Sequence, residues 1–225
     1  MSKILDIDSF IDCWKSFTEK NKTQFLDNYD SSDWTKLIVG EKKSTTNGSP
    51  FGDFFTEYFE KSYSYRKEDG LVDLSIFEKK NFIKGIFKIA KGAKGAKVSL
   101  DDCPTNYEVL IEHENDPAIS HEEMYKLTTF RAALKVLITY IWDPSKSGDI
   151  WSHTHEKLSK NFESIIIQTN SKYPENVETN YILITGQRIG DKIVWKYTGF
   201  SVMNTLKQID SFVIVHDWAK PNINE

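Results

Sequence analysis

Two glutamates stand two residues apart at the end of an apolar segment, YEVLIEHEN at residues 107–115. The apolar and β-branched side chains predict a strand, in which successive side chains alternate between the two faces. Glu112 and Glu114 then share one face, about 7 Å apart, and His113 points to the other face as a core or second-layer histidine. Paired carboxylates repel each other unless water or a cation separates them, and Mg²⁺ prefers carboxylate oxygens. The pair is therefore either a metal-binding group or a strand end that emerges into solvent.

Two further acidic residues stand upstream in apolar surroundings. Asp73 lies within LVDLSIF, a predicted hairpin strand, where an ionised carboxylate is costly unless it is paired or binds a metal. Glu57 lies in the aromatic helical segment FGDFFTEYFEK, and it either reaches the same site or stays on the surface. With the glutamate pair, these residues supply the oxygen ligands that a hard divalent cation needs.

The pair His153-x-His155, near the start of a predicted helix, is a weaker candidate for metal binding. Residues two apart do not share a helix face. A regular helix therefore cannot direct both imidazoles at one ion. The sequence predicts instead that these histidines cap the helix or lie on its surface.

A cationic segment follows the predicted hairpin. Residues 79–97 contain seven lysines and no acidic residue, although the whole chain has a net charge of −4. Apolar side chains recur at helical spacing in residues 81–91, which predicts a basic amphipathic helix followed by a flexible loop. The segment is either a DNA or RNA backbone clamp or a solvated helix face, since lysines bind phosphates without sequence preference. The lysines predicted to make such contacts are Lys84, Lys88, Lys91, Lys94 and Lys97, with Lys126 on a later helix.

Helices, hairpins and single strands alternate along the chain and must position these residues. Helices are predicted at residues 7–28, 32–39, 51–61, 81–91, 121–133 and 153–168. Strands are predicted at residues 62–67, 71–77, 107–114, 134–142, 181–189, 192–197 and 212–216. Ser120-x-x-Glu123 predicts a capping box at the start of the fifth helix. The order predicts one domain over residues 1–225, of the α/β or α+β class, with N-terminal helices in 1–50 and a core of about 51–217 around a mixed central sheet.

Glu57 on a helix, Asp73 on a strand and the ExE of residues 112–114 on a following strand resemble the motif of the PD-(D/E)xK nucleases. That superfamily has the restriction-endonuclease-like fold, an α/β architecture in which helices flank a mixed central sheet. The order of the predicted elements is similar from residue 51 to about residue 198. Over this range the resemblance is one of element order. The residues that match the motif position by position are Glu57, Asp73, Glu112 and Glu114.

The resemblance implies Mg²⁺- or Mn²⁺-dependent hydrolysis of phosphodiester bonds in DNA or RNA. It implies Asp73 and Glu112 as the metal ligands, Glu114 as the general base or water-positioning group, and Glu57 in a supporting catalytic role. Many nucleases of this fold act as dimers, so it also implies a homodimer. Each of these roles is an expectation that comes from the resemblance.

The sequence departs from the motif in three places. Val72 precedes Asp73 where proline is usual, Glu114 takes the place of the motif lysine, and 39 residues separate Asp73 from Glu112 because the lysine segment is inserted. Lys126 is a candidate phosphate contact or displaced motif lysine. The alternative function is a catalytically degenerate module of the same fold that binds nucleic acid or a protein partner. A third is a sugar hydrolase with two carboxylates.

Composition excludes several other classes of protein. The hydrophobic fraction of 39% and the aromatic fraction of 13% exclude a disordered chain. The longest strongly apolar stretch, residues 136–142, is too short to span a membrane. The first ten residues lack the pattern of a secretory signal, and Cys13 and Cys103 fit no CxxC pattern. A cytoplasmic, reduced protein is therefore expected.

Overall fold

The computed structural model describes residues 5–27, 31–40, 48–69, 72–79, 82–83, 103–104, 106–141, 154–174, 178–189, 192–202 and 206–217. The helices in these ranges are α1 Ile7–Lys20, α2 Lys22–Asp27, α3 Ser31–Ile38, α4 Pro50–Tyr58, α5 Ser120–Thr129 and α6 His155–Lys172. The strands are β1 Tyr63–Asp69, β2 Val72–Glu78, β3 Phe82–Ile83, β4 Cys103–Pro104, β5 Val109–Glu114, β6 Leu134–Tyr140, β7 Thr179–Ile189, β8 Lys192–Val202 and β9 Leu206–Asp217.

Seven strands form one mixed sheet in the order β1-β2-β5-β6-β7-β8-β9. The central strands β5, β6 and β7 are parallel, and the strands on both sides of them are antiparallel. Parallel neighbouring strands need a crossover connection. The connection from β5 to β6 contains α5, and the connection from β6 to β7 contains α6. Every residue of β6 is buried, as expected for a central strand with both faces covered. β3 and β4 form a separate two-stranded ribbon.

Helices α1 to α4 cover one face of the sheet with aromatic side chains, which form a single cluster with apolar residues of β2, β5, β6 and β8. Trp14 of α1 lies edge-on to Phe51 of α4 and to Trp195 of β8, with ring centroids 5.3 and 5.2 Å apart. Edge-to-face contacts between rings add to the stabilisation from apolar burial. This aromatic layer attaches the N-terminal helices to the sheet.

Helices α5 and α6 cover the opposite face. Met124 and Leu127 of α5 are buried there with Leu158 and Phe162 of α6 and with Leu110 of β5. Side chains alternate along a strand, so the even-numbered residues of β5 lie under this helix pair. The two glutamates of the ExE pair are among those even-numbered residues.

The architecture confirms the predicted class, an α/β protein with a mixed sheet flanked by helices. The predicted first helix, residues 7–28, is wrong as a single element, because it is divided into α1 and α2 at Asn21. The backbone N–H and the side-chain amide of Asn21 both donate to the carbonyl oxygen of Phe17, at 3.1 and 2.8 Å. An asparagine side chain that bonds to the backbone competes with helix continuation, although the apolar spacing continues past it.

The predicted capping box at the start of α5 is wrong. The helix begins at Ser120 itself, and its N-cap residue, Ile119, makes no capping side-chain hydrogen bond. The Ser120 hydroxyl donates to the carbonyl oxygen of Pro117 at 2.8 Å, and Glu123 pairs with Lys126. The Glu123 carboxylate therefore belongs to the interior face of α5 and not to its N-terminus.

The predicted basic helix at residues 81–91 is wrong at its start. Phe82–Ile83 form β3, which pairs with Cys103–Pro104 of β4 in an extended conformation. Residues 84–91 lie outside the described part of the chain. The same holds for the predicted phosphate contacts Lys84, Lys88, Lys91, Lys94 and Lys97.

Candidate active site

Asp73 and Glu112 lie on the same face of the sheet, although Glu112 follows Asp73 by 39 positions in the chain. β2 and β5 are antiparallel neighbours with Ser75 directly opposite Leu110, and directly opposite residues project to the same side. Asp73 precedes Ser75 by two residues and Glu112 follows Leu110 by two, so both remain on that side. Oδ2 of Asp73 also accepts a hydrogen bond from the backbone N–H of His113 at 2.9 Å, which holds the carboxylate against β5.

Glu112 is a buried acidic side chain, with only 1% of its surface exposed. Burial raises the pKa of Glu112, and the negative charge of Asp73 raises it further, while Lys126 opposes both effects. Desolvation disfavours an ionised carboxyl group, and a like charge nearby has the same effect. A carboxyl group perturbed by burial and by a second acid is typical of functional sites.

Lys126 supplies the positive charge that Glu112 needs. Its Nζ lies 2.9 Å from Oε1 of Glu112 and also contacts Oε2 of Glu123. Burial lowers the pKa of Lys126, but its hydrogen bonds to Glu123 and Glu112 raise that pKa overall. Glu123 and Lys126 stand three residues apart on α5, so they share the helix face that is turned toward β5.

Glu123 is the site residue that sequence reasoning missed. Its carboxylate pairs with Lys126, which also contacts Glu112, and its charge raises the pKa of both Glu112 and Glu114. The available signal was the spacing Glu123-x-x-Lys126 on the helix directly after the motif strand, which predicts one polar patch on a single helix face. The four acidic residues Asp73, Glu112, Glu114 and Glu123 are called the acidic cluster below.

Glu114 stands at the end of β5 and is partly exposed. Its Oε1 accepts a hydrogen bond from the backbone N–H of Asp116 at 2.8 Å. Burial raises the pKa of Glu114, the hydrogen bond from Asp116 opposes this, and the charge of Glu123 raises the pKa further. Glu114 is therefore a less deeply buried carboxyl group than Glu112, held by the turn that follows the strand.

The structure does not bring Glu57 into the acidic cluster. Glu57 is exposed on α4, whose aromatic side chains pack in the layer on the other face of the sheet. The charged groups that shift the pKa of Glu112 lie on β2 and α5. Of the two alternatives for Glu57, the structure shows the surface position.

The acidic cluster has the oxygen ligands that Mg²⁺ prefers, but each buried carboxyl group already has a partner. The backbone N–H of His113 bonds to Asp73, and the ammonium group of Lys126 pairs with Glu112. Within the described residues, no group of three or more His, Cys, Asp or Glu side chains is arranged to hold a metal ion. Asp73 and Glu112 are therefore donors of the type that a divalent cation prefers, but the described side chains do not form a site for one while Lys126 pairs with Glu112.

His113 points away from the acidic cluster, into the aromatic layer. It is buried, and its Nε2 hydrogen-bonds with the hydroxyl group of Tyr140. The ring of Tyr140 in turn lies edge-on to Trp34 of α3, with centroids 4.9 Å apart. Of the two predicted roles for His113, a core or a second-layer histidine, the structure shows the core position.

His155 is buried, although the sequence predicts that it caps the helix or lies on its surface. The residue is 3% exposed, and its Nδ1 and Nε2 lie 2.8 Å from the hydroxyl groups of Thr185 and Thr198. Burial lowers the pKa of His155 to about 4, so the ring is neutral at neutral pH. Both ring nitrogens have hydrogen-bond partners in the core, which identifies His155 as a packing residue. Its sequence neighbour His153 lies outside the described residues.

Comparison with known proteins adds no family assignment to this geometry. No described helix is both long and apolar enough to cross a membrane. No family model matches the sequence, and no curated protein matches it at a significant level.

Proposed function

We propose that the protein is a Mg²⁺- or Mn²⁺-dependent nuclease of the restriction-endonuclease-like fold, acting on phosphodiester bonds of DNA or RNA. The main support is that Asp73 and Glu112 share the face of the sheet under α5, where Lys126 reaches Glu112 at 2.9 Å. The order α4, β1, β2, β5, α5, β6 also resembles the order of elements in that fold.

In this proposal Asp73 and Glu112 hold the metal ion. A bound Mg²⁺ supplies a water of lowered pKa and neutralises negative charge that develops on the phosphate oxygens. Glu114, which is more exposed at the strand end, positions the attacking water or accepts its proton. Glu114 occupies the motif position where lysine is usual. In this proposal Lys126, on α5, supplies the missing lysine, and its ammonium group faces the phosphate.

The lysines of residues 79–97 contact the nucleic-acid backbone in this proposal. Seven lysines without an acidic residue form the most cationic segment of an otherwise acidic chain. Lysine contacts with phosphates release counterions, so binding should weaken steeply as the salt concentration increases. A homodimer would place two acidic clusters on the two strands of one duplex.

The test is cleavage of DNA and RNA in Mg²⁺ or Mn²⁺ by the wild type, Glu112→Gln and Asp73→Asn. Each variant should lose activity by about 100-fold or more, because metal-assisted charge stabilisation contributes several kcal/mol to the transition state. Glu122→Gln is the matched control, since Glu122 is an exposed acidic residue of the same helix as Glu123. Equal cleavage by the wild type and Glu112→Gln, or undiminished cleavage in EDTA, would contradict the proposal.

A catalytically degenerate binding module of the same fold is the second candidate. Two observations favour it: Glu114 stands in place of the motif lysine, and Lys126 already neutralises the buried Glu112. This candidate predicts nucleic-acid binding that is measurable by fluorescence anisotropy in EDTA and is unchanged by Glu112→Gln. It also predicts that no cleavage follows when Mn²⁺ is added.

A further inference from the structure

The start of α6 and the adjoining part of β8 form a basic surface on the same face of the sheet as the acidic cluster. Lys157 and Lys160 are exposed in the first two turns of α6, and Nζ of Lys196 on β8 lies 3.2 Å from Oε1 of Glu156. Glu156 and Lys160 stand four residues apart, so they are neighbours on the helix surface. The surface therefore combines three lysines with one glutamate, and Lys157, Lys160 and Lys196 are called the α6 lysine patch below.

The register of four neighbouring strands connects this patch to the acidic cluster. Glu114 of β5 lies directly opposite Thr139 of β6, and Thr139 lies opposite Thr185 of β7. Thr185 lies opposite Lys196 of β8. Directly opposite residues project to the same side of a sheet, so Glu114 and Lys196 stand at the two ends of one row. Neighbouring strands are about 4.8 Å apart, which places the backbone of Lys196 about 14 Å from that of Glu114.

The charge, exposure and spacing of the patch fit the phosphate backbone of a nucleic acid. The Lys196 and Glu156 side chains are 33% and 64% exposed, so their ion pair is open to solvent. A lysine ammonium group binds phosphate as a point charge, without sequence preference. A duplex rises 3.4 Å per base pair, so the separation along the row corresponds to about four base pairs.

We propose that the α6 lysine patch is a second contact with the phosphate backbone, and that it sets the direction in which the nucleic acid leaves the acidic cluster. The nucleic acid runs along the row from Glu114 toward Lys196, over the start of α6. The patch contacts phosphates only, so it adds affinity and orientation but no sequence preference. This inference rests on the proposed function for the identity of the ligand, but it needs no metal ion at the acidic cluster.

The test is binding of a fluorescein-labelled DNA duplex and a labelled single-stranded RNA, measured by fluorescence anisotropy in EDTA at several NaCl concentrations. The patch variant combines Lys157→Gln, Lys160→Gln and Lys196→Gln. Its affinity should decrease at least about tenfold, and the slope of log K against log salt should become less steep by about 2 to 3, because each phosphate contact contributes about one.

The matched control combines Lys15→Gln, Lys22→Gln and Lys36→Gln, which remove the same total charge from the helices on the other face of the sheet. These lysines are 40%, 45% and 56% exposed, and each pairs with an acidic residue of its own region of the chain. The control variant should keep the affinity and the salt slope of the wild type to within about twofold and 0.5, because long-range effects of net charge are screened by salt.

The outcomes separate this inference from the proposed function. Equal binding by the patch variant and the wild type, or equal losses in the patch and control variants, overturns the inference and leaves the nuclease proposal to the cleavage assay. A loss confined to the patch variant, in a protein that does not cleave with Mg²⁺ or Mn²⁺, supports the inference and contradicts the nuclease proposal. Absence of nucleic-acid binding by the wild type overturns the inference. If the patch variant does not fold by circular dichroism, Lys196→Gln replaces it, with a slope change of about one, and Lys172→Gln at the other end of α6 is its control.

Discussion

Glu112 and His155 are ionisable side chains that the fold buries almost completely, and the two are stabilised in different ways. Glu112 has a charged partner, Lys126, and a second carboxylate nearby that raises its pKa. His155 has two hydroxyl partners instead and keeps a lowered pKa of about 4. The burial of Glu112 is thus offset by a charged partner, whereas that of His155 is offset by hydrogen bonds to both ring nitrogens.

The lowered pKa of His155 predicts a pH dependence of stability. Between pH 6.5 and about 4 the unfolded chain binds a proton at this position that the folded protein does not. The contribution of His155 to the free energy of unfolding is therefore fully present above pH 6.5. It decreases as the pH falls, by up to roughly 3 kcal/mol near pH 4. Urea unfolding from pH 7.5 to 4.5 should show that the stability difference between the wild type and His155→Gln shrinks with decreasing pH.

His121→Gln is the control for this measurement, because His121 is exposed on α5. If His155 is the group responsible, the free energy of unfolding of His121→Gln should change with pH in the same way as that of the wild type. A constant difference between the wild type and His155→Gln over the whole pH range would show that the ring is not held neutral.

The start of α4 is capped by a serine that also contacts α3. Ser49 is the N-cap of α4, and its hydroxyl oxygen accepts a hydrogen bond from the N–H of Gly52 at 3.0 Å. The same hydroxyl donates to the carbonyl oxygen of Ile38 at 2.8 Å, at the last residue of α3. One buried serine therefore joins the start of one helix to the end of another.

Ser49→Ala should destabilise the protein by about 1–2 kcal/mol, because it removes a helix cap and a buried hydrogen bond together. Ser171→Ala, at an exposed hydroxyl near the end of α6, should change stability by less than about 0.5 kcal/mol. Chemical denaturation of both variants gives the comparison. Equal losses of stability in the two variants would mean that the hydrogen bonds of Ser49 stabilise the protein no more than those of an exposed serine do.

In the described part of the chain, two unlike helical layers cover the two faces of the seven-stranded sheet. The aromatic layer of α1 to α4 on one face contains Trp14, which contacts Trp195 of the sheet with ring centroids 5.2 Å apart. The acidic cluster lies on the other face, where α5 contributes Glu123 and Lys126. The aromatic layer and the acidic cluster therefore lie on opposite sides of the same strands.

Trp14→Ala should destabilise the fold by about 3–5 kcal/mol, because it leaves a large cavity among rigid rings. The melting temperature should then decrease by roughly 10 °C. Well below the new melting temperature, Trp14→Ala should keep whatever Mn²⁺-dependent cleavage the wild type has under the proposed function, because Trp14 lies in the layer on the other face of the sheet from the acidic cluster. Tyr173→Ala is the control, since Tyr173 is 75% exposed, and an equal loss of stability there would contradict the role given to the aromatic layer.

The sequence by itself determined the class of the protein and the local placement of its main candidate residues. Alternation of side chains along a strand depends only on backbone geometry, so Glu112 and Glu114 could be assigned to one face of β5 and His113 to the other. Apolar spacing likewise located α3, α4 and α6 to within a few residues. Resemblance to a nuclease motif then singled out Asp73, which lies on a neighbouring strand.

Only the tertiary structure decided which of these residues meet. The pairing of β2 with β5 places Asp73 beside Glu112 across 39 residues of chain, and the orientation of α5 brings in Glu123 and Lys126. Strand pairing and the layer to which a helix packs follow from burial summed over distant segments, which a local pattern does not contain. For the same reason Glu57, on a helix with the expected pattern, lies on the surface of the other layer.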